Sequence, residues 1–157
     1  MTQKRTAQEE PLEHLRYAAY LLSLEQVSAE QELTLVTAVL TDPDRTMAAS
    51  AVVQHMQRRV LELLRSPAYP AWQEGMADAL AGHTFLAKRL DEWALFRAVT
   101  LDLPWTPEEL ITASDWLQRW ISQGLRSSAE AHTVLADSGR TRRVRNAAKS
   151  KIKNRPH

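Results

Sequence analysis

Apolar residues recur along this chain every three or four positions, and nowhere do they alternate over the length of a strand. That period sets successive apolar side chains on one side of a helix. A first helix is expected over Pro11–Leu24, with Leu12, Leu15, Ala19 and Leu22 as its buried face and Pro11 at the first helical position, where its missing N–H is not needed. Ser28, with Gln31 three residues on, has the spacing of a capping box and opens a second helix striped by Leu33, Val36, Val39 and Leu40. Asp42-Pro43 is expected to end that helix and cap the next, since Asp accepts from free N–H groups and a residue before Pro prefers extended dihedrals. The third helix is the clearest. Ala49, Val52, Val53, Met56, Val60, Leu63 and Leu64 fall at helical spacing.

Ser66-Pro67 stops the third helix, and Pro70 starts a shorter one that reaches Gly82. Phe85–Leu101 is apolar around more than half its circumference, the mark of a well-covered helix, and Pro104 ends it. In WTPEEL, Thr106 is the N-cap, Pro107 takes the first position and Glu109 completes a capping box, with Trp105 and Leu110 placed as a hydrophobic staple. One helix lined by Leu110, Ala113, Leu117 and Ile121 is expected to run from there to Gly124. Ser127 with Glu130 caps a short helix that Gly139 terminates, and Thr141 caps a last helix reaching Lys153. The whole reads as all-α: a compact multi-helix bundle or array of about eight helices with short connections.

Three segments follow from this pattern: a flexible polar lead-in at 1–10, a helical core domain at 11–138, and a basic helix and tail at 139–157. One echo runs across them. VLTDPDRT at Val39–Thr46 and VLADSGRT at Val134–Thr141 share five of eight residues, each where one helix gives way to the next. Paired helices around an Asp-containing turn resemble HEAT-type repeats, which would imply HEAT-like helical hairpins. Two copies fall short of the three or more that a repeat array needs, and convergent turn chemistry is the better account of the echo.

At 157 residues, 44% hydrophobic and 25% charged, the chain can bury a core without staples. No run approaches the roughly 18 apolar residues of a membrane span, and MTQKRTAQEEPLEH has no apolar stretch of the kind a secretory signal carries. No membrane association is expected. The absence of Cys excludes disulfides, thiolate zinc sites, iron–sulfur ligation and cysteine nucleophiles. It suits a reducing compartment, and a cytoplasmic location is expected.

Charge changes the picture more than composition does. Eight of the twenty basic residues lie from Arg140 onward, where no acidic residue stands. The first 139 residues therefore hold twelve basic against all nineteen acidic residues, a net of −7, and the remainder a net of +8. Such a division points to a polyanion-binding element. Read as a helix, the segment has an apolar stripe of Val144, Ala147, Ala148 and Ile152 surrounded by cations. Arg142 and Arg143 lie in its first turn, where the helix dipole disfavours cations by about 0.3–1 kcal/mol each. Arg145, Lys149 and Lys153 follow at i,i+4, where like charges repel by a few tenths of a kcal/mol. An outside anion would offset both, and the candidates are the acidic remainder of the chain and the phosphates of DNA or RNA. The candidate phosphate contacts are Arg140, Arg142, Arg143, Arg145, Lys149, Lys151, Lys153 and Arg155. The string ADSGRTRRVRNA also resembles the turn and second helix of helix-turn-helix DNA-binding proteins over about twelve residues. It departs from that pattern at Val144, which arrives one position early from Gly139, so no residue role carries over.

Other chemistry is sparse. The glycines stand singly at 75, 82, 124 and 139, so no phosphate-cradling loop exists. His14, His55, His83, His132 and His157 show no i,i+4 pairing, and a surface or boundary role is expected for each. No metal or cofactor is expected. The carboxylates read as caps or helix-surface groups, and the balance is against an enzyme. Arg97, set in the apolar run WALFRAVTL, is either an anion ligand in a pocket or a structural ion pair, with Glu92 or Asp102 in reach. Trp116 and Trp120, one turn apart, are either core or the face of a protein-interaction adaptor, the alternative to nucleic-acid binding.

Overall fold

The computed structural model describes residues 2–124 and 128–154. Among them are nine α-helices and no strand: α1 (Thr2–Gln26), α2 (Glu32–Val39), α3 (Arg45–Leu63), α4 (Tyr69–Ala79), α5 (Thr84–Leu101), α6 (Pro107–Ile111), α7 (Asp115–Gln123), α8 (Ala129–Ser138) and α9 (Arg142–Lys153). The all-α expectation holds. The chain forms two compact units, residues 1–90 and 91–157, and the division falls inside α5. The basic helix α9 packs against α7 and α8 as part of the second unit.

In the first unit α1 starts at Thr2, upstream of Pro11, and presents the opposite face from the one its leucines suggest. Leu12, Leu15 and Leu22 are 57%, 63% and 53% exposed, whereas Leu24 is buried and Tyr17, Tyr20 and Leu21 are half-buried. Polar anchors on the tyrosine side fix that rotation. The Tyr20 hydroxyl donates to Asp42 at 2.6 Å, and Gln54 donates to the Tyr17 oxygen at 2.5 Å. Asp42 is not the cap of α3. Asp44 is, accepting from the Met47 N–H at 3.1 Å. Asp42 accepts from Tyr20, from the Asp44 N–H at 2.9 Å and from Arg16 at 3.2 Å, and these bonds, Tyr20 foremost, hold its carboxyl below the usual range. Ser28 binds the Gln31 N–H, but the turn continues and α2 begins at Glu32 without a side-chain cap.

The core of this unit contains a charged group. Glu32 is buried and accepts from His55 Nε2 at 2.7 Å, from Arg59 at 3.0 and 3.2 Å, and from the Trp72 indole at 2.9 Å. Arg58 has only donors and lies 2.8 Å from His55 Nδ1, so that nitrogen must accept and Nε2 carries the proton given to Glu32. His55 is thus a core residue rather than a surface one, and so is His132 in the second unit, 3.3 Å from the Ile121 carbonyl. Burial alone would raise the Glu32 carboxyl, but the bonds from His55, Arg59 and Trp72 outweigh it and bring the pKa to about 2.

The second unit has one helix more than the sequence suggests, because the expected run from Thr106 to Gly124 breaks at Thr112–Ser114. The Thr106–Glu109 capping box forms at its start, with both reciprocal bonds present. At the break, the fully buried Gln118 donates to the carbonyls of Leu110 at 2.8 Å and Ile111 at 3.0 Å. Arg140 donates to the Ala113 carbonyl at 3.1 and 3.2 Å and to that of Thr112 at 3.3 Å. Glu92 accepts from the Ser114 N–H at 3.0 Å and from its hydroxyl at 2.5 Å, opening α7. The groups freed by the interruption are thereby satisfied, which is what makes the break tolerable. α5 stops before Pro104: Asp102 takes φ 56° and the Leu103 N–H reaches back to the Ala98 carbonyl at 2.9 Å, a Schellman closure. The cap of α8 is Ser128, bonded to the Ala131 N–H at 3.1 Å, while Ser127 lies outside the described residues.

The two echo segments do not share a local structure. Leu40, Thr41 and Asp42 lie in a turn before α3, whereas the matching Leu135, Ala136 and Asp137 are inside α8. Asp42 is buried and triply bonded; Asp137 is exposed. The likeness therefore does not mark a repeated hairpin.

Because the Glu32 pKa falls from its ordinary 4.5 to about 2 on folding, its stabilising contribution is complete above pH 4.5 and is lost as pH drops through about 2. Glu32→Gln is expected to remove about 3 kcal/mol of the stability change between pH 5 and pH 2. It should also lower stability at pH 7 by about 3–5 kcal/mol, because Arg59 loses its buried partner. Urea unfolding of both proteins across that pH range measures each.

Candidate nucleic-acid interface

Thr141 opens α9 by accepting from the Val144 N–H at 3.1 Å. Val144 and Ala148, four residues apart, are both fully buried against the second unit, and Ala147 is half-buried. Ile152, expected in the same stripe, is largely exposed. With Val144 and Ala148 inward, the helical period turns Arg142, Asn146, Lys149 and Lys153 outward along one line, with Arg143 beside it. All five are exposed.

The eight candidate cations separate accordingly. Arg140 is tied to the carbonyls at the α6–α7 break, and its N–H donates to Gln118 Oε1 at 2.7 Å. Arg145 donates to the Gly139 carbonyl at 2.9 Å, capping the end of α8. Lys151 is half-buried on the inward side. Arg155 lies outside the described residues. Arg142, Arg143, Lys149 and Lys153 remain, and among the described residues no carboxylate lies within ion-pairing distance of any of them. Among the described residues, ion pairs form elsewhere, at Arg16–Asp42, Arg59–Glu32, Arg58–Glu62, Arg59–Glu62 and Arg119–Asp115.

Trp116 and Trp120 do not form an exposed pair. Both pack on the buried Trp93, at centroid distances of 5.0 and 5.5 Å, and Phe96 meets Trp93 edge-on at 5.3 Å. Such tilted aromatic contacts are core chemistry. Trp116 is half-buried and Trp120 is 39% exposed. Arg97 is half-buried. Among the described residues no three His, Asp or Glu side chains are grouped to hold a metal, and no helix is long and apolar enough to cross a membrane. No family model, curated protein or solved structure matches this chain.

Gln118 is the residue of this region that sequence reasoning missed. Its only signal is an amide side chain beside Leu117 on a helix whose other buried positions are mostly apolar. Gly139 has a second role beyond ending α8. Its φ of −56° suits any residue, but a Cβ there would lie 2.6 Å from the Leu135 carbonyl oxygen and 2.7 Å from Val144 Cγ1. Space, not dihedral freedom, requires glycine. Gly139→Ala is expected to push α9 off its seat and destabilise the second unit by about 1–3 kcal/mol, read as a lower thermal midpoint.

Proposed function

We propose that this chain binds the phosphate backbone of nucleic acid, without reading base sequence, through Arg142, Arg143, Lys149 and Lys153 on the exposed face of α9. The observation that carries this reading is the contrast in charge pairing. Arg16, Arg58, Arg59 and Arg119 pair with carboxylates, while these four cations stand exposed with none in reach among the described residues. The row from Arg142 to Lys153 extends about 16 Å at 1.5 Å per residue. That is about five phosphates of one strand at 3.4 Å of rise each. Asn146, in the same line, adds a neutral donor. Nucleic acid in the cytoplasm is the partner this reading takes.

Fluorescence anisotropy with labelled duplex DNA, single-stranded DNA and RNA of unrelated sequences tests the reading. Affinity is expected to be similar across sequences, with log K falling against log salt at a slope of about −3 to −4 for four phosphate contacts. Replacing Arg142, Arg143, Lys149 and Lys153 together by Gln should bring the slope near zero while leaving the thermal midpoint within a few degrees, since all four are surface positions. Unchanged binding by that variant would refute the assignment.

A further inference from the structure

In the first unit, a cleft of about 660 Å³ opens between α1, α3 and the start of α5. Its volume lies in the range of small-molecule sites. The floor is Ala49 and Val53 of α3, two residues whose spacing marks them as core but which are only half-buried here. Phe85, 59% exposed, and the Tyr17 ring form the walls. An aromatic side chain held this far out of the core leaves apolar surface in water that a ligand could cover.

The charged groups around this floor share one sign. Arg45 stands at the α3 end, exposed and without a carboxylate in reach among the described residues. Arg89 holds its guanidinium over the Phe85 ring, 5.3 Å from the centroid, which positions a second cation on the rim. Thr46 and Ser50, one helical turn apart, also line the cleft and carry hydroxyl donors. No carboxylate lines it among the described residues. An apolar floor, aromatic walls, two cations and hydroxyl donors are complementary to a molecule that is flat and apolar at one end and negatively charged at the other.

We propose that this cleft binds a small organic anion with an aromatic body, its ring against Val53 and Phe85 and its carboxylate or phosphate on Arg45. The site is separate from the cations of α9 and does not depend on them.

Isothermal titration of the full-length chain with 1-naphthyl phosphate and with 1-naphthoate, and with neutral 1-naphthol as control, tests this. Saturable one-to-one binding is expected for at least one of the two anions, and the tighter of them identifies the head group. Arg45→Gln should weaken that anion about tenfold and leave 1-naphthol little changed. Phe85→Ala, at an exposed position that folding does not require, should weaken the anion and 1-naphthol alike. Val53→Trp should fill the cleft and abolish binding, with its thermal midpoint checked alongside. The Gln variant at the four α9 cations should bind the anion as the wild type does. The proposal is overturned if neither anion saturates by about 1 mM, if Arg45→Gln binds as tightly as the wild type, or if 1-naphthol matches both anions. Loss of binding in the α9 variant would also overturn it, because the anion would then be sitting on α9.

Discussion

The seating of Val144 and Ala148 decides what the basic end of this chain can do. Both side chains are fully buried, and burying a valine is worth about 1.5–3 kcal/mol. Against this stand the dipole penalty on Arg142 and Arg143, about 0.3–1 kcal/mol each, and a few tenths for repulsion between Lys149 and Lys153. Packing is comparable to or larger than the electrostatic cost, and the bonds from Thr141 and Arg145 add to it. α9 can therefore fold without an outside anion. Its charge pattern tolerates the absence of one, and so an exposed row of cations persists at the surface where a ligand can meet it.

Charge is handled in opposite ways at the two ends of the chain. In the first unit Glu32 is enclosed, yet every donor around it is aimed at it: an imidazole, a guanidinium and an indole. Such a cluster is costly to break and specifies a single arrangement of α2, α3 and α4. In the second unit a neutral residue, the fully buried Gln118, ties the helices together. Gln118 binds two carbonyls through its amide nitrogen and one N–H through its oxygen, joining α6, α7 and the turn before α9. A neutral amide can do this without a counter-ion.

Periodicity carried the helices and most of their ends, since apolar spacing and caps such as Thr106–Glu109 act within a few residues. It failed where distant partners decide. The leucines of α1 have the right spacing for a buried face, but the tyrosines opposite them have Asp42 and Gln54 to bond, and those lie 22 and 37 residues away. The break between α6 and α7 is held by Glu92 and Arg140, 22 and 27 residues from the groups they satisfy. Asp42 had all the local credentials of a cap, yet Asp44 took the position and left Asp42 to α1. Of the candidate cations, the sequence could show that they cluster. It could not show that Arg140 and Arg145 are bonded to carbonyls while their neighbours are not.

That distinction governs how function and fold can be separated in this molecule. Cutting the chain after Ser138 looks like the removal of a tail, and the sequence suggests it would leave a core intact. In the structure the cut would strip Val144 and Ala148 from the second unit and take away the guanidinium that serves the Ala113 carbonyl. The buried Gln118 oxygen would lose the Arg140 N–H, and an unsatisfied buried acceptor costs about 1–3 kcal/mol. A truncated chain would then lose binding whether or not α9 touches nucleic acid, because the second unit would be damaged. Exposed side chains on α9 can be changed without touching any of these contacts. The division of the cations between carbonyl-bound and solvent-facing is thus also the division between residues that hold the fold and residues free to serve a ligand.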